Sequence, residues 1–227
     1  MTAISEKANP MRTNTSLPDV GTKAEILSCA ARLFRTKGYA AVTLREIAKG
    51  VGLTTGSFYY HFTSKEEIVS EILEQGHRRV LSEVRKSVSD LGASPDGQLI
   101  LRTAIRSHIQ CLLGDDSFPS ANIRIFAHVP AEVRTASLGV RHEYEGYWIQ
   151  LLRQCQERGE SDPNIDPAVL SNLLFGAMNW TLEWYKPGRH RIEEIADNLT
   201  RLVIHQTEKA KAPGPRRGKA RRGLRQG

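Results

Sequence analysis

The chain has little of what a membrane, redox or metal protein needs. No apolar run approaches the ~18 residues required to span a bilayer, so no membrane partner is expected. Its three cysteines, Cys29, Cys111 and Cys155, are far apart, odd in number and form no CxxC pair, so they read as small buried apolar residues. The seven histidines (His61, His77, His108, His128, His142, His190, His205) include no i,i+4 pair of the kind that holds a metal on a helix. GxSxG, HExxH and P-loop patterns are absent, as is a Cys/His nucleophile arrangement, so neither catalysis nor a cofactor is expected. No segment sustains strand alternation and no repeat is found. The first 22 residues lack an apolar signal core, so the expected compartment is the cytoplasm.

Charge is present but badly distributed for an argument from pI. The net charge is +7, yet from Lys209 onward there are eight Lys/Arg and no acid, which leaves residues 1–208 at −1. The basicity belongs to a tail, and any nucleic-acid reading must rest on a motif instead. That tail, 209–227, mixes Gly, Pro and like charge and is expected to be disordered. It is either a solvated extension or a strip for salt-sensitive phosphate contacts.

With 227 residues and 40% hydrophobic content the chain is long enough for a real core. Residues 1–20 lack periodicity and read as a flexible arm. From Thr22, Ile26, Ala30, Leu33 and Phe34 recur at helical spacing until Gly38. Thr43 with Glu46, and Ser64 with Glu67, read as capping boxes opening a second and a fourth helix. Thr54 caps a short third helix, to about His61. The fourth runs to about Asp90. Further helices are expected over about Gln98–Leu113, Ser137–Arg158, Pro167–Tyr185 (with Asp166 as its cap) and Arg191–Thr207. A loop is expected at Gly114–Pro119 and short pieces broken by Pro130 at 120–136. The fold class is therefore all-α, with about nine helices. The expected organisation is an arm (1–20), a helix-turn-helix domain (21–67), a helical ligand-binding and dimerisation domain (68–208) and the tail.

Thr43 to Val69 is TLREIAKGVGLTTGSFYYHFTSKEEIV. Two short helices joined by Val51-Gly52-Leu53 make a helix-turn-helix. The second must enter a major groove and present small polar and aromatic groups, which Thr54, Thr55, Gly56, Ser57, Tyr59, Tyr60 and His61 supply. Gly56 would let the backbone approach DNA closely.

This segment resembles the TetR family signature. Thr43, Ile47, Ala48, Gly52, Leu53, Thr54, Gly56, Ser57, Phe58, Tyr59, His61, Phe62, Ser64, Lys65, Glu66 and Ile68 all fit, without a gap over about 50 residues. The resemblance implies a DNA-binding transcriptional regulator. Thr54, Thr55, Ser57 and Tyr60 become candidates for base or phosphate contacts, and Tyr59, His61, Thr43, Arg45 and Lys65 for backbone phosphates, while Phe58 and Phe62 pack inside. It also implies a homodimer on palindromic double-stranded operator DNA, formed by the last two long helices, whose apolar stripes include Leu170, Leu173, Leu174 and Ala177, then Ile195, Leu199 and Leu202. Each stripe also suits ordinary core.

The second half resembles, more loosely, a TetR sub-group tied to fatty-acid and steroid catabolism that responds to acyl-CoA thioesters. The carriers are Arg141, Tyr144, Glu145 and Trp148, and Asn179, Trp180, Trp184, Tyr185, Pro187 and Gly188. The resemblance implies a repressor released by a small hydrophobic effector, with Tyr144, Trp148, Trp180 and Trp184 as pocket walls and Arg124, Arg141 and Asn179 as polar anchors. Aromatic core is the competing reading of each wall residue, and a drug or other non-CoA metabolite the competing effector. A purely structural DNA binder would need no such aromatic body. Helix four, joining the two parts, is the expected lever.

Overall fold

The computed structural model describes residues 20–204. The expected arm, apart from Val20, and the expected basic tail lie outside them. The elements are α1 (Val20–Ala41), α2 (Leu44–Gly50), α3 (Thr55–Tyr59), α4 (Lys65–Ser89), α5 (Gly97–Leu113), α6 (Ser117–Ile125), a 3-10 turn (Phe126–His128), α7 (Ala131–Glu157), α8 (Pro167–Asn179), α9 (Thr181–Trp184) and α10 (Ile192–Val203). With α8 and α9 taken as one interrupted helix, the described α-helices number nine. The β pairing among the described residues is a single bridge, Ser161 to Ile204. No described helix is long and apolar enough to cross a membrane.

Local chemistry sets most of these boundaries. Thr43, Thr54, Ser64, Asp96, Asp116 and Asp166 each accept a backbone N–H of the first turn they precede, at 2.7–3.2 Å. Each such cap is worth about 1 kcal/mol. The expected capping boxes close differently. Glu46 turns to Lys37 of α1 at 2.5 Å, and Glu67 reaches the Thr63 amide at 2.9 Å, one residue before the cap.

Four sequence expectations are corrected. Gly114–Pro119 is not all loop: Asp116 caps α6, and Pro119 sits in its first turn, where no N–H is needed. Pro130 does not break short pieces but immediately precedes α7, which starts at Ala131 rather than Ser137. The helix expected to reach Tyr185 jogs at Trp180, beside the Thr181 hydroxyl that bonds back to Met178 O at 2.6 Å. The last helix stops at Val203 rather than Thr207, because Ile204 turns extended and bridges to Ser161.

Two hydrophobic cores result. The first joins Ile26, Ala30 and Phe34 of α1 to Ile47, Phe58, Phe62, Ile68 and Ile72, and includes Phe118, Ala121 and Ile125 of α6. The second gathers Val80, Leu81 and Val84 of α4 with Leu101, Ile105, Trp148, Leu152, Leu174, Met178 and Ala196. Only α4 feeds both. Between its two halves sits Gly76, where a Cβ would lie 2.9 Å from both Asn122 Cβ and Phe118 O. Only glycine lets α6 cross α4 this closely. Arg79 reinforces the crossing, pairing with Asp116 at 2.8 Å while stacking 3.7 Å from the Phe118 ring, and Arg35 of α1 donates to Gly114 O at the end of α5 at 3.2 Å.

Candidate functional site

The first candidate surface is the α2–turn–α3 face. Gly52 (φ 71°) makes the turn, in a region that side chains resist, and Leu53 N closes it on Ala48 O at 2.9 Å. Phe58 and Phe62 anchor α3 in the first core. This leaves Thr55, Gly56, Ser57, Tyr59 and Tyr60 outward as one strip, Tyr60 at 84% exposure. Thr54 is also exposed, but its hydroxyl is used at home, 3.2 Å from Ser57 N and 2.9 Å from Ser57 Oγ. A Cβ on Gly56 would meet nothing within 4 Å, so the fold itself does not demand glycine there.

Thr43 and Arg45 lie exposed at the start of α2. His61 is half-buried, with Nδ1 sealed from solvent and unpartnered. Lys65 is turned inward. Its ammonium bonds Tyr39 O and sits 4.0 Å from the Tyr39 ring, and burial lowers its pKa. Tyr39 in turn donates to Glu66 at 2.9 Å, and burial, then that carboxylate, push the phenol up to about 12. Lys65 thus ties the end of α1 to the start of α4.

The second candidate is a cavity of about 330 Å³ walled by α4, α5, α6, α7 and α8. Three of the seven sequence-predicted ligand residues line it: Arg141, Tyr144 and Asn179. Trp148 lies fully buried behind the wall, its ring 6.3 Å from Tyr144 and 5.6 Å from Phe175. Arg124, Trp180 and Trp184 are elsewhere. Arg124 faces Glu183 at 3.5 Å across a neighbouring hollow that it shares with Trp180, which is 64% exposed. Trp184 packs against His190. The two hollows share Ile123 and Asn179.

The cavity floor is an aromatic cluster around His108. Tyr144 OH donates to His108 Nδ1 at 2.6 Å, the rings lying parallel within 3°, and His108 Nε2–H donates to Asn179 Oδ1 at 3.1 Å. Burial pushes His108 down to about 4, so it is neutral at physiological pH. At the other end Arg141, partly exposed, bonds Glu145 at 2.7 Å and stacks 4.6 Å from the Phe126 ring. The walls between are apolar: Val80, Leu112, Ile123 and Phe175. Such a cavity takes a small, mainly hydrophobic molecule with a polar end. Among the described residues no group of His, Cys, Asp and Glu could hold a metal.

Sequence reasoning missed His77, His108, Asn122, Phe126 and Phe175 as wall residues. The available signal was polarity on a buried helical face: His108 follows Ile105 and precedes Ile109 and Leu112, and Asn122 lies between Ala121 and Ile125.

Comparison with known proteins accounts for most of the described chain. The model for bacterial regulatory proteins of the tetR family matches residues 26–72, and that for the Tetracyclin repressor-like C-terminal domain matches 96–207. The HTH-type transcriptional repressor KstR2 of Rhodococcus jostii is 28% identical over 187 residues, covering 81% of this chain and 90% of that one. The crystal structure of apo AibR, 26% identical, aligns with TM-score 0.67 over 81% of this chain and 98% of that chain. AibR in complex with isovaleryl coenzyme A and operator DNA aligns with TM-score 0.72 over 81% of this chain and 98% of that one; at 24% identity this likeness bears on the fold. With its helix-turn-helix and its helical body both accounted for, the chain belongs to the TetR family of bacterial transcriptional regulators.

Proposed function

We propose that this regulator is a homodimeric repressor that reads operator DNA with the outward strip of α3 and lets go when an acyl-CoA thioester fills the cavity. The observation that carries the reading is the position of α6. One side of that helix, Phe118, Ala121 and Ile125, is built into the core of the DNA-reading head; another, Pro119, Asn122 and Ile123, is cavity wall. A molecule that prefers a shifted α6 lowers DNA affinity by that preference and no more.

The effector class is supported by a mainly apolar cavity with the Arg141–Glu145 pair at one end, and by AibR, whose solved complex contains isovaleryl coenzyme A and operator DNA. Dimerisation is supported by apolar side chains that neither core uses: Val169 and Leu173 on α8, and Leu202 on α10, which is 80% exposed. Two heads on one dimer would meet half-sites about 34 Å apart, one turn of DNA.

The test is binding of the purified protein to DNA from its own upstream region, followed by fluorescence anisotropy at fixed salt, with a panel of acyl-CoAs. Release by one thioester at micromolar concentration is expected. Tight DNA binding that ignores every thioester would keep the repressor and move the effector to a drug or another hydrophobic metabolite.

A further inference from the structure

Where α4 and α6 cross over Gly76, the cavity wall carries polar groups that the fold satisfies only in part. Asn122 of α6 is buried, and its Nδ2 donates to Leu73 O at 2.8 Å and to His77 Nδ1 at 2.8 Å. His77 Nδ1 also lies 3.0 Å from Leu73 O. An amide nitrogen 2.8 Å from Nδ1 can only donate to it, so Nδ1 is the acceptor. The neutral imidazole therefore carries its proton on Nε2. His77 lines the cavity, and Nε2 has no hydrogen-bond partner among the described residues.

The two ends of the cavity differ in this respect. On the floor, both ring nitrogens of His108 are paired, with the Tyr144 hydroxyl and with Asn179 Oδ1, and the His108 and Tyr144 rings lie parallel. At the mouth, the His77 ring stands perpendicular to Phe126 at 6.4 Å, and the same Phe126 ring carries the Arg141 guanidinium. An apolar chain suits the floor. A hydrogen-bond acceptor suits the mouth, since a ligand that dehydrates Nε2–H without accepting from it leaves a buried donor unpaired.

We propose that His77 reads the effector, its Nε2–H, presented by Asn122, donating to the thioester carbonyl of an acyl-CoA whose acyl group rests on the aromatic floor and whose remainder leaves past Arg141. The proposal rests on the acyl-CoA reading and assigns the atom that recognises the thioester. His77 is held by Asn122, which also donates to Leu73 O, so the recognising group is part of the α4–α6 crossing.

The experiment is calorimetric titration of the full chain with two matched pairs, isovaleryl-CoA against S-isopentyl-CoA and octanoyl-CoA against S-octyl-CoA; the thioethers lack only the carbonyl oxygen. The thioester is expected to bind about tenfold more tightly, the scale of one buried hydrogen bond. His77→Phe is expected to bind both members of a pair alike, and His77→Gln, which keeps an amide donor, to restore much of the preference. The wild-type comparison needs no variant to fold. Equal binding of thioester and thioether by the wild type, or a preference undiminished in a folded His77→Phe, overturns the proposal and leaves the acyl-CoA reading standing. Failure of all four compounds to bind removes that reading and the proposal with it.

Discussion

His108 makes the stability of the helical body depend on pH in a way that can be worked through. Its ordinary pKa is about 6.5, and burial, opposed only by the Asn179 bond, lowers it to about 4 in the folded chain. The unfolded state therefore takes up a proton as pH falls through 6.5, while the folded state resists until about 4. Stability from this group is fully present above 6.5 and is lost progressively as pH falls toward 4. At pH 5 the linkage relation puts the loss, relative to pH 7, at about 2 kcal/mol, which for a domain of this size is a fall in Tm of about 4–8 °C. His77, also lowered by burial, adds a loss of the same sign. The assay is thermal unfolding by circular dichroism at pH 7 and pH 5 for the wild type and His108→Gln. Glutamine does not titrate, so the variant should lose about 2 kcal/mol less on acidification, whatever its stability at pH 7. Equal acid-induced falls in the two proteins would refute the claim that His108 is held neutral by burial.

Other perturbations test other parts of the structure. Gly56→Ala places a methyl in open space on an exposed helix, so unfolding should be unchanged or later by about 0.5–1 kcal/mol; operator affinity should drop about tenfold, the scale of one lost contact, and unchanged anisotropy titrations would show that DNA does not approach there. Gly76→Ala must push Asn122 and the Phe118 carbonyl away, costing about 1–3 kcal/mol in denaturant unfolding; an unaltered midpoint would mean the crossing has slack. Leu173→Glu with Leu202→Glu should leave the monomer fold intact and halve the mass seen by light scattering, whereas a mass that stays put would move the dimer contact off this face.

The DNA-reading half was largely legible because its signals are local. Thr43, Thr54 and Ser64 cap helices through atoms three residues away; Gly52 follows the end of α2 with its own positive φ, whereas Gly38, expected to end α1, kinks it and the helix runs on to Ala41. A regular expression of some 25 residues can carry that information. The cavity was legible only in part because it is made of tertiary neighbours. Arg141, Tyr144 and Asn179 were found, but the indoles that pointed to a pocket serve otherwise: Trp148 lies behind the wall, and Trp180 and Trp184 lie outside the cavity. His108 meets Tyr144 across 36 positions and Asn179 across 71, and nothing in the local pattern announces either bond. The prolines misled for a related reason. Pro119 and Pro130 were weighed as breakers, although a helix tolerates proline where it begins.

Helix four alone, the lever expected from sequence, is a poor candidate for the moving part. It runs unbroken for 25 residues, with Ile68, Val69, Ile72 and Leu73 in one core and Val80, Leu81 and Val84 in the other, so turning it disturbs both. Helix α6 has nine residues, is fixed at its start by Asp116 and Arg79, and passes at its end into a single 3-10 turn. Its contacts with the head and with the cavity alternate along those nine residues, and close-packed interiors shift between discrete arrangements rather than yield gradually. A hundredfold change in operator affinity needs a difference of about 2.7 kcal/mol between the two arrangements, comparable to one well-buried side chain changing its surroundings. Ile125, fully buried on the head side of α6, belongs neither to the exposed α3 strip nor to the residues that line the cavity. Ile125→Val should therefore leave effector binding in the absence of DNA nearly unchanged and alter the factor by which effector weakens DNA binding. If that factor is unchanged, and variants of α4 alone alter it, the lever is α4 after all.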